Sequence, residues 1–168
     1  MKVKGNQEDP GERYVRITYK NAEIKKEVIT RAEALLPNPD DIDFSHNEVT
    51  RKTKIKPQSG KWIEYDGSIP GVGPIAWELL EKVLYAAGEY LSVNDIYRRT
   101  DNESFADASS VAVFIRHIRK AFGESGKEPW FILTAREPEY GICWAADKSW
   151  MLVKKEVESE DTQGIQEH

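Results

Sequence analysis

The most regular pattern along the chain lies in residues 107–122, where apolar and polar positions repeat with the period of an α-helix. At about 100° per residue, the large apolar side chains fall on one face, which predicts a helix that packs one side against a core. These side chains are Val111, Ile115, Ile118 and Phe122. The opposite face carries Ser109, Val113, Arg116, His117 and Lys120. Hydroxyl and cationic groups on a helix suit the major groove of DNA, but the solvated face of an ordinary amphipathic helix has the same composition.

Two further helices are predicted ahead of this one. The first runs from Ile75 to Ala87 and ends at Gly88, a residue type that commonly terminates helices. The second runs from Val93 to Thr100, with Ser92 as its N-cap.

Short strands are predicted on both sides of the three helices. Segments 130–134 and 140–144 form a hairpin after the long helix, and segments 41–55 and 61–65 contribute strands before the first one. This order predicts an α+β fold, namely a winged helix-turn-helix with a small N-terminal antiparallel sheet and a C-terminal wing hairpin.

The first 40 residues predict a strand followed by a helix. Arg13 to Lys20 alternates like a strand, and Asn21 is expected to cap a helix that Pro37 ends. One face of that helix carries Ile24, Val28, Ala32 and Leu35. This apolar stripe is expected to dock on the winged helix or on a second copy of the chain, and simple intramolecular packing is the alternative. The predicted divisions are a disordered tail 1–12, a strand-helix extension 13–40 for docking or dimerisation, a winged-helix domain 41–153 and a disordered acidic tail 154–168.

Composition narrows the possible function classes. The 168 residues are 39% hydrophobic and 32% charged, enough apolar material for a single core. The net charge of -5 argues mildly against nucleic acid as a partner. Residues 107–122, however, hold Arg116, Arg119 and Lys120 against Asp107 alone, a local charge of 3 − 1 = +2. Positive charge is therefore focused on the amphipathic helix.

Enzymatic and membrane functions are not expected. Cys143 is the only cysteine, which excludes an internal disulfide and a cysteine-based zinc site. The histidines, His46, His117 and His168, lack the spacing of a metal site, and no serine lies in a Gly-x-Ser-x-Gly motif. No apolar run approaches the roughly 20 residues of a membrane span. We expect a soluble, cytoplasmic protein without catalytic residues, metal or cofactor.

Residues 41–144 resemble the DNA-binding domain of OmpR/PhoB-type response regulators. The resemblance rests on Asp43 to Val49, Trp77 to Leu80, Leu91 to Ile96, Val111 to Phe122, and Ile132 to Arg136 with Tyr140. It implies a transcriptional regulator that reads specific DNA sequences, with its recognition helix in the major groove and its wing on the adjacent minor groove. Only about 40 residues precede this part, so a stand-alone domain without a full receiver is expected. Residues 13–36 resemble the last strand and helix of a receiver, which the family uses for dimerisation.

The resemblance also implies which residues contact DNA. Positions matching Arg116, His117 and Arg119 contact phosphates or base edges in the family, and those matching Thr134 and Arg136 reach the backbone and minor groove. Arg119 lies on the flank of the helix, where either a phosphate contact or an ion pair within the fold fits. With the exposed helix face, the predicted DNA-binding residues are Ser109, Ser110, Val113, Arg116, His117, Arg119, Lys120, Thr134 and Arg136.

The sequence of the wing departs from the family. Glu137 and Glu139 stand where the family has glycines, and carboxylates there oppose contact with phosphates. The negative net charge and tryptophans such as Trp62, Trp130 and Trp150 also suit a protein surface. A winged-helix protein-interaction module with little DNA affinity is therefore the alternative. The expected partners are double-stranded DNA, a second copy of the chain and a protein bound at the loop Asp101–Phe105.

Overall fold

The computed structural model of the protein describes residues 12–98, 108–125, 127–136 and 140–157. Within them, nine strands form a six-stranded and a three-stranded sheet, accompanied by four helices. The strands are β1 Glu12–Lys20, β2 Glu23–Ile29, β3 Phe44–Asn47, β4 Lys52–Ile55, β5 Ile63–Asp66, β6 Leu91–Ser92, β7 Ile132–Ala135, β8 Gly141–Trp144 and β9 Trp150–Val157. The helices are α1 Arg31–Ala34, α2 Pro74–Tyr85, α3 Val93–Arg98 and α4 Ala108–Ala121.

The larger sheet joins the two ends of the described chain. Its strand order is β2-β1-β9-β3-β4-β5, and all neighbours are antiparallel except β3 and β9. The small sheet predicted in front of the helices therefore exists, but β1, β2 and β9 enlarge it. Because β1 and β9 pair along eight residue positions, the strand of the predicted extension and the end of the predicted domain lie in one sheet.

The helix predicted after Asn21 is wrong over most of its length. Asn21 and Ala22 have φ angles of 55° and 62°, and they form a two-residue turn that leads into β2. Ile24 and Val28 therefore lie on a strand, and only α1 is helical, capped reciprocally by Thr30 and Glu33. The stripe that included Ala32 and Leu35 is not a single helix face, so the resemblance of residues 13–36 to a receiver also fails.

The opposite end of the chain holds a second correction. β9 continues to Val157, so residues 154–157 are strand rather than part of a disordered tail. The remainder of both predicted tails, residues 1–11 and 158–168, lies outside the described residues, as do the loop Asp101–Phe105 and the wing residues Glu137 and Glu139.

The two faces of the larger sheet are covered by different helices. On one face, here called the α2 face, the indole of Trp150 donates a hydrogen bond of 3.1 Å to the carbonyl of Leu84 in α2. On the other, the α1 face, Ala34 packs with Tyr14, Ile29 and Val153. The main core lies between the α2 face, the helices and the smaller sheet.

The winged-helix part has the predicted order and is held by a cluster of aromatic rings. α2, α3 and α4 are followed by the hairpin of β7 and β8, which we call the wing, and β6 pairs with β8. The Phe122 ring lies 4.9 Å from that of Phe44 and 5.2 Å from that of Phe131, and the Trp144 ring lies 5.3 Å from Phe131. These rings connect the end of α4 to both sheets. The winged helix-turn-helix prediction is confirmed.

Candidate functional site

The buried face of α4 is the one that the sequence pattern predicts. Val111, Ile115, Ile118 and Phe122 are all at most 1% exposed. Since these side chains fix the rotation of the helix, the opposite side must face solvent. There, Arg116, His117 and Lys120 are exposed, and Val113 is 37% exposed.

A groove of about 660 Å³ lies between this exposed side of α4 and the wing. Five of the predicted residues line it together: Arg116, Arg119, Lys120, Thr134 and Arg136. Ala112 and Tyr140, which are partly exposed, add apolar surface to its lining. Residues on two separate elements are thus brought to one concave surface.

The charge of the groove is positive. Among its described lining residues, four cations stand against the single carboxylate of Glu124, which gives 4 − 1 = +3. Arg116, Lys120 and Arg136 are exposed, whereas the side chain of Glu124 is only 2% exposed. The surface available to an incoming ligand is therefore more positive than the net charge of the chain indicates.

Arg119 differs from the other cations because it has partners within the fold. Its guanidinium donates a hydrogen bond of 2.6 Å to the carbonyl of Ile132 in β7, and its Nε lies 3.5 Å from Oε2 of Glu124. The Arg119 side chain is 13% exposed. The ion pair considered from the sequence is present, and it joins α4 to the loop that follows it, whereas the hydrogen bond to Ile132 joins α4 to the wing. The phosphate contact of Arg119 stays a prediction.

Glu124 completes this connection, and the sequence pattern gave no reason to select it. Its carboxylate accepts backbone hydrogen bonds from Phe131 at 2.7 Å and from Ile132 at 3.1 Å. Burial raises the pKa of the Glu124 carboxyl, while these backbone donors, that of Trp130 and the charge of Arg119 act against the increase. A carboxylate directly after the helix-ending Gly123 is the only local signal, and it is a weak one.

Three of the remaining predicted residues, His117, Val113 and Ser110, do not line the groove. His117 is beside the turn before α2, since a Cβ added to Gly71 would lie 3.8 Å from the Cβ of His117. Val113 and Ser110 lie on α4 outside the groove lining. The side chain of Ser109 falls outside the described part of the structure.

Other chemistry in the described residues is limited. No group of three or more His, Cys, Asp or Glu side chains in the described ranges is arranged to hold a metal ion. Cys143 is 3% exposed, and burial raises the pKa of its thiol, so the thiol is protonated at neutral pH. No helix in this part of the chain is long and apolar enough to cross a membrane.

Comparison with known proteins agrees with this geometry. Residues 71–142 match the family described as "Transcriptional regulatory protein, C terminal". No curated protein and no solved structure shows a significant match to the chain. The matched segment begins just before α2 and ends within β8, so it contains the three helices and the groove. The family consists of winged-helix regulatory domains rather than enzymes. Residues 71–142 are therefore similar in sequence to the C-terminal DNA-binding domains of transcriptional regulatory proteins of the OmpR/PhoB type, and they carry the winged-helix fold of that family.

Proposed function

We propose that this protein is a transcriptional regulator that recognises a specific DNA sequence, with α4 in the major groove and the wing on the adjacent minor groove. The observation that carries the proposal is the positive groove between α4 and the wing, whose exposed cations come from both elements. A helix and a hairpin that present cations to one concave surface match two neighbouring grooves of a duplex and the phosphates between them.

Each exposed cation has a distinct proposed role. Arg116 lies on the exposed side of α4, where a guanidinium can bond a guanine edge with two hydrogen bonds. Lys120, one turn further along α4, is placed to contact a phosphate. Arg136 follows β7 at the end of the wing and is exposed, which suits the narrow and negative minor groove.

The buried carboxylate of Glu124 supports the same function. Its charge is directed towards backbone donors and Arg119, so it opposes an approaching phosphate less than an exposed carboxylate would. Arg116 and Lys120 can thus still neutralise DNA phosphates. This neutralisation releases the counterions condensed on the DNA, and that release drives binding.

The proposal is tested by selecting sequences from a random duplex pool with the full chain and titrating the selected duplex over a range of salt concentrations. Arg116→Ala should weaken binding to that duplex by about 1–3 kcal/mol and reduce discrimination between sequences. Arg136→Ala should weaken binding to all duplexes more evenly. Arg31→Ala is a matched control, because it also removes one exposed arginine but lies in α1 on the opposite face of the larger sheet.

The outcomes separate the two functions considered. An enriched sequence whose affinity falls with salt and depends on Arg116 but not on Arg31 supports the regulator. Absence of any enrichment at low salt contradicts it and favours the protein-interaction module. Equal binding by wild type and Arg116→Ala would remove Arg116 from the base-reading role.

A further inference from the structure

One of the two outer edges of the larger sheet, the one formed by β2, is a surface that the DNA-binding site does not use. β2 is the last strand in the sheet order and pairs only with β1 among the strands that the structure describes. All its residues except Ile29 are exposed, including Ile24 at 41% and Val28 at 62%. An exposed strand edge with large apolar side chains is a template for pairing with another strand.

The backbone groups of this edge can be assigned from the hairpin geometry. Lys20 and Glu23 close the two-residue turn, so they are a hydrogen-bonded pair. Hydrogen-bonded pairs alternate with non-bonded pairs along an antiparallel ladder. Ile24, Lys26 and Val28 therefore direct their N–H and C=O groups away from β1, towards the free edge.

We propose that β2 pairs antiparallel with β2 of a second copy of this chain, with Lys26 on the two-fold axis. In this register, Ile24 lies opposite Val28 of the second copy, and Lys25 lies opposite Glu27. The Ile24–Val28 pair lies on the α2 face and the Lys25–Glu27 pair lies on the α1 face. Because of the two-fold axis, each of these pairs occurs twice. Three residue pairs have their hydrogen-bonding groups facing each other, which gives about six backbone hydrogen bonds, two for each pair.

Neighbouring registers are less complementary. Side chains on opposite strands must share a face, so the two-fold axis can move only by a whole residue along β2. Centring it on Lys25 places Glu23 opposite Glu27 and Ile24 opposite Lys26. Centring it on Glu27 places Lys25 opposite Ile29 and Lys26 opposite Val28. Of these three registers, only the one centred on Lys26 pairs apolar with apolar and basic with acidic side chains over residues 24–28.

The like charges of the two central lysines are partly compensated within each copy. Nζ of Lys26 lies 2.8 Å from Oε2 of Glu156 in β9. The hydrogen bond from Lys26 is also the main cause that lowers the pKa of the Glu156 carboxyl, so this carboxyl is ionised at neutral pH. Each Lys26 therefore reaches the axis beside a carboxylate, which it shares with Arg13.

Charge reversal on β2 tests the register. In Lys25→Glu, two glutamates face each other at both symmetry-related positions, and in Glu27→Lys, two lysines do. Each variant alone should dimerise about 10- to 30-fold more weakly than the wild type. A mixture of the two variants restores opposite charges at both positions, so it should form a heterodimer of nearly wild-type affinity. Glu64→Lys, which reverses the charge of an exposed glutamate on β5 at the opposite edge of the sheet, is the control and should leave dimerisation unchanged.

The experiment is sedimentation of the full chain without DNA, from low micromolar to submillimolar concentration, with a mass tag on one variant in the mixture. A wild-type dimer that each single variant weakens and the mixture restores supports the proposal. A wild type that stays monomeric over the whole range overturns it, and so does a mixture no tighter than its components. A dimer that neither variant affects also overturns it, because that dimer uses another surface. The variants leave the groove intact, so these results are independent of the DNA-binding test.

Discussion

Glu124→Ala is expected to weaken the connection between α4 and the wing. The substitution removes the carboxylate that accepts hydrogen bonds from the backbone of Phe131 and Ile132 and that lies beside Arg119. Phe131 and Ile132 are both 0% exposed, so water cannot replace the lost acceptor without local opening. The two N–H groups and the guanidinium would then lose a shared partner at once.

The expected size follows from these contacts. A buried donor left without an acceptor costs about 1–3 kcal/mol, and breaking a buried ion pair costs about 3–5 kcal/mol. The two costs overlap because the same carboxylate supplies both. Arg119 keeps its bond to the carbonyl of Ile132, and the substitution also removes the burial cost that raises the pKa of Glu124. We therefore expect the free energy of unfolding to fall by about 3 kcal/mol, or about 6–12 °C in Tm.

Urea denaturation followed by tryptophan fluorescence measures this change. Glu128→Ala is the matched control, since Glu128 is an exposed glutamate in the same loop and its removal should change stability by less than about 0.5 kcal/mol. Glu124→Gln keeps one acceptor oxygen and should fall between the two. If Glu124→Ala and Glu128→Ala lose equally little stability, the reasoning about the buried carboxylate is refuted.

Two further predictions concern pH and backbone conformation. Burial lowers the pKa of His46. At pH values between the folded and the unfolded pKa, the ring is therefore neutral in the folded state but binds a proton in the unfolded state. The free energy of unfolding should therefore decrease as the pH falls below about 6.5, until the folded pKa is passed, and this decrease should be shallower in His46→Gln. Gly123 and Gly60 have φ angles of 73° and 84°, but only at Gly123 would a Cβ lie 2.9 Å from Cδ1 of Ile63. Gly60→Ala should cost about 1 kcal/mol and Gly123→Ala about 2 kcal/mol, measured by denaturation.

Each of these two predictions has a result that contradicts it. Identical pH profiles for wild type and His46→Gln would mean that His46 titrates alike in both states. Equal losses for the two glycine variants would show that Ile63 moves aside and that only the left-handed backbone conformation contributes.

The winged-helix part was predictable because the residue patterns that specify its helices lie close together in the sequence. α4 repeats apolar residues with the helical period, and Gly88 and Ser92 mark the boundaries of its neighbours. The same local pattern placed Arg116 and Lys120 on the exposed side. Glu124 could not be found in this way, because its partners in β7 and α4 are brought to it only by folding.

The error at β2 has a physical origin. Ile24 and Val28 are four residues apart, a spacing that puts two side chains on one face of a helix and also on one face of a strand. Pairing with β1 decides between these structures, and the positive φ of Asn21 and Ala22 at the turn allows it. Since Ala carries no sequence signal for such a turn, the hairpin was not apparent from the residues alone.

The central position of β9 has a consequence for synthesis on the ribosome. β1 and β3 are made early, but each has one edge that is filled only by residues 150–157, near the end of the described chain. The winged-helix segment emerges before that strand, while its core still lacks Trp150 and Leu152, the β9 side chains that pack against it. During that interval, the nascent chain exposes unpaired strand edges on which a chaperone can act. Variants that weaken β9 should therefore lower the yield of soluble protein in cells more than their effect on the equilibrium stability of the finished chain predicts.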